Sequence, residues 1–176
     1  MTLKKNLFKI VGIVVITVLL IIQFFHTKKN LSNDNTNDIS NKFPVPETIQ
    51  LILKTSCNDC HSNLTVYPWY SNLQPVDWWL TNHVNEGKRE LNFSEFSSYR
   101  IYRQYKKLGD IIEEIKDDEM PLSSYLIIHG NAKLNESQKA ELTLWAESLR
   151  ESMKTQYPAD SLVNPKKRKQ EEKSHE

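Results

Sequence analysis

Cysteine, methionine and glycine are scarce in this chain of 176 residues, which holds two, three and four of them respectively. Two cysteines exclude a long-range disulfide framework. Because they are Cys57 and Cys60, a bridge between them would close too short a loop to add much stability. Four glycines argue against a sheet with many tight turns and against a glycine-rich phosphate loop. An excess of one charge is lacking too. Lys and Arg total 23, Asp and Glu total 22, and the net charge is +1, so no nucleic-acid partner is expected. Sustained alternation of apolar and polar residues is absent, which excludes an evident strand pattern. The expected fold class is all-α, with no internal repeat.

One long apolar run is present. Residues 10–25 read IVGIVVITVLLIIQFF, after Lys4, Lys5 and Lys9 and before His26, Lys28 and Lys29. Counted from Leu7, the run reaches the length needed to span a bilayer. A cleaved signal peptide has a similar layout, but no small-residue cleavage site follows Phe25. The expectation is an uncleaved N-terminal anchor over 1–29, with a transmembrane helix at about 7–25. The basic residues ahead of the run weakly favour a cytoplasmic N-terminus. Residues 30–42, NLSNDNTNDISNK, are rich in Asn, Asp and Ser and read as a flexible linker. Residues 43–157 are the folded domain, and 158–176, with its KKRK run, reads as a disordered charged tail.

Within the domain, Pro46 and Glu47 suit a helix start, and Ile49, Ile52 and Leu53 recur at helical spacing. A second helix follows Pro75, with Gly87 near its end. A third covers roughly 98–118, expected to break at Gly109 and Asp110 and stopped by Met120-Pro121. A short helix is expected in SSYLIIHG. In the last helix, Asn135 and Gln138 have capping-box spacing, and Leu142, Trp145, Ala146, Leu149 and Met153 form one apolar stripe.

The cysteines stand in TSCNDCHSNL, so the chain carries Cys57-x-x-Cys60-His61. That is the attachment signal for c-type haem. Each thiol adds across one of two vinyl groups on the porphyrin, and the following imidazole reaches the iron. Cys57 and Cys60 are therefore the expected thioether anchors of one covalently held haem c, and His61 the proximal iron ligand. A redox dithiol shares the CxxC spacing but usually sits in an α/β fold. A zinc site needs a fourth ligand. Covalent haem is attached outside the cytoplasm in bacteria, which agrees with an anchor that carries the domain there.

Methionine or histidine usually completes such a site. Met153 belongs to the apolar stripe of the last helix. Met120 stands on a proline-stiffened turn after a charged run and is the expected sixth ligand, with His83 or His129 as alternatives. Trp69, Trp78 and Trp79, soon after the motif, are candidates for the pocket wall. Core packing would explain any one of them equally.

The stretches CNDCHSNLTVYPWYSNLQPVDWWLTNHVNEGKRELNFSEF and EIKDDEMPLSSYLIIHGNAKLNESQKAELTLWA resemble the bacterial haem-binding domain family. Its members are small monohaem, cytochrome c-like proteins, often with one N-terminal membrane segment. The resemblance covers about 43–149. It implies a cytochrome c-like helical domain, attachment at Cys57 and Cys60, and iron ligation by His61 and by Met120 of the Met-Pro turn. The function expected is one-electron transfer by a membrane-tethered carrier, not catalysis. Its haem domain would lie on the periplasmic side of the inner membrane, as a single-pass protein serving redox partner proteins that the sequence does not name. The alternative is a haem-based sensor or small-ligand binder with a labile sixth ligand. A peroxidase-like enzyme would need an open coordination position with a distal acid–base group, and no such constellation stands out.

Overall fold

The structure is a computed structural model that describes residues 2–166 and 168, with side chains from Asn6 onward. Among the described residues seven α-helices are named: α1 (Thr2–Ile22), α2 (Glu47–Ser56), α3 (Asn58–His61), α4 (Val76–Glu90), α5 (Ile101–Lys116), α6 (Ser123–Leu126) and α7 (Glu136–Gln156). Short 3-10 turns join them. Among the described residues there is no strand, only an isolated bridge between Leu31 and Leu64. The domain is thus all-helical.

The core is built on α5 and α7. Leu108, Ile111, Ile112 and Ile115 recur on one face of α5 and meet Leu142, Trp145, Ala146, Leu149 and Met153 of α7. All five residues of the α7 stripe are buried, and Met153 is fully so, so Met153 is a packing residue. The capping box forms as its spacing predicts: the Asn135 side chain accepts from the Gln138 N–H, and the Gln138 side chain accepts from the Asn135 N–H. Helix α2 adds Ile49, Ile52 and Leu53 to the same core. The Trp145 indole N–H donates to the Pro44 carbonyl at 3.0 Å.

Helix α5 does not break at Gly109. A glycine in a helix costs about 1 kcal/mol, and burial of the α5 face outweighs that. A side chain at Gly109 would begin 3.4 Å from the Arg150 guanidinium, which instead lies over the Tyr105 ring at 4.4 Å.

Residues 30–42 are not a flexible linker. Ile39 is 2% exposed and lies in the core beside Phe43. The polar residues that suggest solvation are spent on local turns: Asp34 accepts from the Thr36 N–H, and Asp38 from the Ser40 N–H. Asn30 donates to the Ser62 carbonyl and to Thr65 Oγ1, each at 2.9 Å. Asx turns of this kind satisfy backbone donors as water otherwise would. At the other end, Tyr157 and Leu162 pack on the core. A 3-10 turn spans Ala159–Ser161. Residues 167 and 169–176 of the expected charged tail lie outside the described residues.

The expected transmembrane helix finds no support in the length of α1. No helix among the described residues is long and apolar enough to cross a membrane. Helix α1 stops at Ile22, so the apolar run through Phe25 leaves helical geometry before it ends. With Lys9 inside the helix, the uncharged helical part from Ile10 to Ile22 covers roughly 20 Å at about 1.5 Å per residue. The hydrocarbon core of a bilayer is about 30 Å thick. Ile22 is half-buried, but the large apolar side chains from Leu7 to Ile21 are exposed, from 44% at Leu19 to 77% at Phe8.

Candidate functional site

The two cysteines and the histidine sit on one turn. Cys57 ends α2 and caps α3, and the Cys60 and His61 N–H groups both bond the Cys57 carbonyl, at 3.2 and 3.0 Å. Two anchors hold this turn. One is Asp59, whose carboxylate accepts from the Tyr125 hydroxyl at 2.7 Å and from the Val66 N–H at 3.1 Å. The other is the last part of α4, which passes so close that a Cβ on Gly87 would lie 2.7 Å from the Cys60 carbonyl oxygen. Real Cβ atoms do not come that near to backbone, so glycine is required there. In the sequence Gly87 looks only like a helix-end signal; its place inside the helical pattern is the hint of a close approach.

His61 is fixed by backbone. Its Nδ1 lies 3.0 Å from the Gly87 carbonyl and 2.9 Å from the Leu91 carbonyl. Carbonyls only accept, so Nδ1 carries the proton and Nε2 keeps its lone pair. Burial lowers the His61 pKa, and the two carbonyls offset this only in part, so the ring is neutral. The edge of Phe93 meets the imidazole at a centroid distance of 6.5 Å. A neutral imidazole held through Nδ1–H is the arrangement of a metal-ligating histidine.

Beside it lies a cavity of about 440 Å³, within the 300–1,000 Å³ typical of cofactor sites. Cys57, His61 and Met120 all line it, with Leu91, Phe93, Ile111, Ile115, Leu134 and Leu142 as apolar wall. Lys106 and Lys107 are the cations on this wall, both paired with Asp110, at 2.8 and 3.0 Å. Met120 is brought in by the stop of α5. Asp118 takes a left-handed φ of 58°, and the Met120 N–H turns back to the Glu114 carbonyl at 3.2 Å.

The structure therefore brings Cys57, His61 and Met120 to one cavity. Cys60 lines a small neighbouring cleft instead, with Val84 and Tyr125. The tryptophans expected as pocket walls do not line the cavity: Trp69 is 77% exposed, Trp78 41% and Trp79 48%. Nearness in sequence misled here, because the wall comes from α5, α7 and the loops beside them. The two alternative histidines are also elsewhere. His83 bonds the Trp79 carbonyl at 2.8 Å, and His129 stacks on Tyr125 and bonds the Tyr70 hydroxyl at 2.9 Å.

The donor set suits a flat apolar cofactor with iron: one neutral imidazole, one thioether and a cysteine around an apolar hollow. It suits other CxxC chemistry poorly. Burial, then the neighbouring Cys60, pushes the Cys57 thiol up to about 12. Burial and Asp59 push Cys60 up to about 11. Reactive dithiols have lowered values instead. Among the described residues no group of three or more His, Cys, Asp or Glu side chains is placed to hold a metal ion.

No curated protein and no solved structure matches the chain. The model of one family, described as haem-binding domain, matches residues 17–148. That match spans well over half of the chain and includes the Cys57–His61 turn, the whole cavity wall and Met120. On these grounds the chain belongs to the haem-binding domain family.

Proposed function

We propose that this haem-binding chain is a membrane-anchored monohaem c-type cytochrome that carries single electrons between redox partner proteins. The observation that carries the proposal is the meeting of Cys57, His61 and Met120 on one cavity. Cys57 and Cys60 would hold the haem as thioethers, with Cys60 turning from its cleft toward the cavity to do so. His61 would bind the iron through Nε2, since Nδ1–H is spent on two carbonyls. Met120 would take the far side. The haem, when bound, supplies a one-electron couple. The chain's own part is to keep the imidazole neutral and oriented, to hold the thioether on a fixed turn, and to exclude water with Phe93, Ile111 and Leu142. Were His61 and Met120 both to hold the iron, no ligand position would be left for a substrate, which favours a carrier over a catalyst.

The anchor is α1 with the residues just beyond it. A helix whose side chains are exposed from Leu7 to Ile21 needs an apolar surrounding. Its short apolar length can be met by Lys9 reaching toward headgroups and by local thinning of the bilayer. The basic residues ahead of the apolar run in the sequence favour a cytoplasmic N-terminus. The domain would then stand on the periplasmic side of the inner membrane, where covalent haem is attached.

The test is expression with haem-maturation machinery. The expected product weighs one haem more than the polypeptide, resists carbon monoxide when reduced, and shows the red methionine–iron charge-transfer band. Met120→Ala should abolish that band, leave the covalent mass unchanged and open the reduced iron to carbon monoxide. A polypeptide without added mass or Soret absorption would overturn the proposal. A band that survives in Met120→Ala would assign the sixth position to another residue.

A further inference from the structure

We infer that the face formed by Phe24, Phe25, Trp69, Leu73 and Trp78 rests on the phospholipid headgroup region beside α1. The haem domain is then mounted flat on the membrane and does not swing on a tether. The inference depends on the reading of α1 as a membrane anchor.

Two observations support it. First, no slack chain joins α1 to the domain. The Gln23 side chain donates to the Gln74 carbonyl at 3.1 Å and accepts from the Gln74 N–H at 3.0 Å. The Phe25 carbonyl accepts from Gln74 Nε2 at 2.7 Å and from the Trp78 indole N–H at 2.9 Å. Thr27 donates its N–H and its hydroxyl to the buried Asp77 carboxylate, at 2.9 and 2.7 Å, and Lys29 pairs with the same group at 3.1 Å. The residues that leave α1 are stitched to the start of α4 within one turn.

Second, the segment that leaves α1 and the residues it is stitched to are apolar and exposed. Phe24 is 85% exposed and Phe25 61%; Trp78, bonded to the Phe25 carbonyl, is 41% exposed, Leu73, beside the stitched Gln74, 47%, and Trp69, in the 3-10 turn just before it, 77%. The Trp78 donor is already satisfied by the Phe25 carbonyl, so its ring can face acyl chains at no hydrogen-bonding cost. The exposed His26 and Lys28 flank the same stretch and suit anionic headgroups. Aromatic rings beside a bare apolar helix are the composition of a bilayer interface. A lipid surface is favoured over a protein partner because Phe24 and Phe25 follow directly on a helix whose side chains from Leu7 to Ile21 are exposed.

The experiment is hydroxyl-radical footprinting of the full chain in nanodiscs of mixed neutral and anionic phospholipid, one chain per disc, read by mass spectrometry. Each residue's rate is normalised to its rate in the urea-unfolded chain. Phe24, Phe25, Trp69 and Trp78 should then be oxidised severalfold more slowly than the exposed Ile127 and Ile128. Rates at Trp69 and Trp78 that match those two isoleucines, in chains still retained by the discs, would overturn this inference and leave the anchor standing. Protection that appears only with two chains per disc would assign the face to self-association and overturn it too. Chains that wash out of the discs would overturn the anchor reading and this inference with it.

Discussion

The two ends of helix α4 do different work by different means. Its first turn holds the segment leaving α1, through the side chain of Asp77. That carboxylate is fully buried and meets Thr27, Lys29, Gln74 and Thr81. Its last turn and the residue just beyond it hold His61 through two backbone carbonyls, with Gly87 clearing room for Cys60. One end is a buried charge with chosen partners; the other is bare peptide. A charge can be deleted by one substitution. A carbonyl cannot, so the ligand end is vulnerable only to a side chain added where none fits.

Deleting the charge should have the largest effect on stability. Asp77→Ala leaves the Lys29 ammonium, itself only 21% exposed, with the Ser71 carbonyl and the Tyr67 ring but without its counter-charge. Breaking a buried pair from one side costs about 3–5 kcal/mol. Urea unfolding of the haem-loaded protein should show that loss, while the folded variant keeps its axial-ligand spectrum. A changed spectrum in Asp77→Ala would mean that the two ends of α4 are not separate.

Gly87→Ala should be the reverse case. The new methyl must push α3 and α4 apart, and overpacking of this kind costs about 1–3 kcal/mol. The smaller stability loss should come with the larger change at the haem, because the shift falls on the Cys60 backbone and on a carbonyl that orients His61. Reduced haem incorporation or an altered iron spectrum would show it. A Gly87→Ala protein with unchanged spectrum and stability would refute the close approach.

Much of this comparison was hidden in the sequence, for physical reasons. The Cys57–His61 turn was legible as a turn because its residues are local, set by spacing along the chain. The place of Met120 just past a helix end was legible because Pro121 must stop a helix. The capping box at Asn135 and the stripe on α7 could be read off for the same reason. Asp77 could not. An acid near a helix start reads as a dipole partner, and its burial comes from Thr27 and Lys29, some fifty residues earlier. Residues 30–42 were misread because composition measures affinity for water, not whether Asn and Asp side chains close turns on themselves. The tryptophans were misread because neighbours along α4 diverge in space, and the cavity wall is supplied by α5 and α7.

A smaller effect should appear only in acid. Burial alone would raise the pKa of Asp77; the Thr27 N–H and hydroxyl and the Lys29 ammonium together outweigh it and hold the carboxyl well below its ordinary range. The stabilisation is therefore complete above the unfolded value, about 3.9, and is lost as pH falls from there through the lower folded value. Unfolding midpoints measured from about pH 6 down to about pH 2.5 should fall more steeply for the native chain than for Asp77→Asn. Parallel curves would show that Asp77 is not held below its ordinary range.

The middle of α4 gives the smallest expected effect and the sharpest control. His83 lies between the two ends, bonds the Trp79 carbonyl one turn back, and meets the Trp79 ring at a tilt, 4.3 Å between centroids. It touches neither the Asp77 cluster nor the cavity wall. His83 is half-buried but joins no core cluster, and His83→Gln should change stability by less than about 1 kcal/mol. It should leave the methionine–iron band and the carbon monoxide resistance of the reduced protein intact. A lost band would mean that α4 turns to bring His83 to the iron when haem binds. The division of labour between its ends would then hold only for the chain without its cofactor.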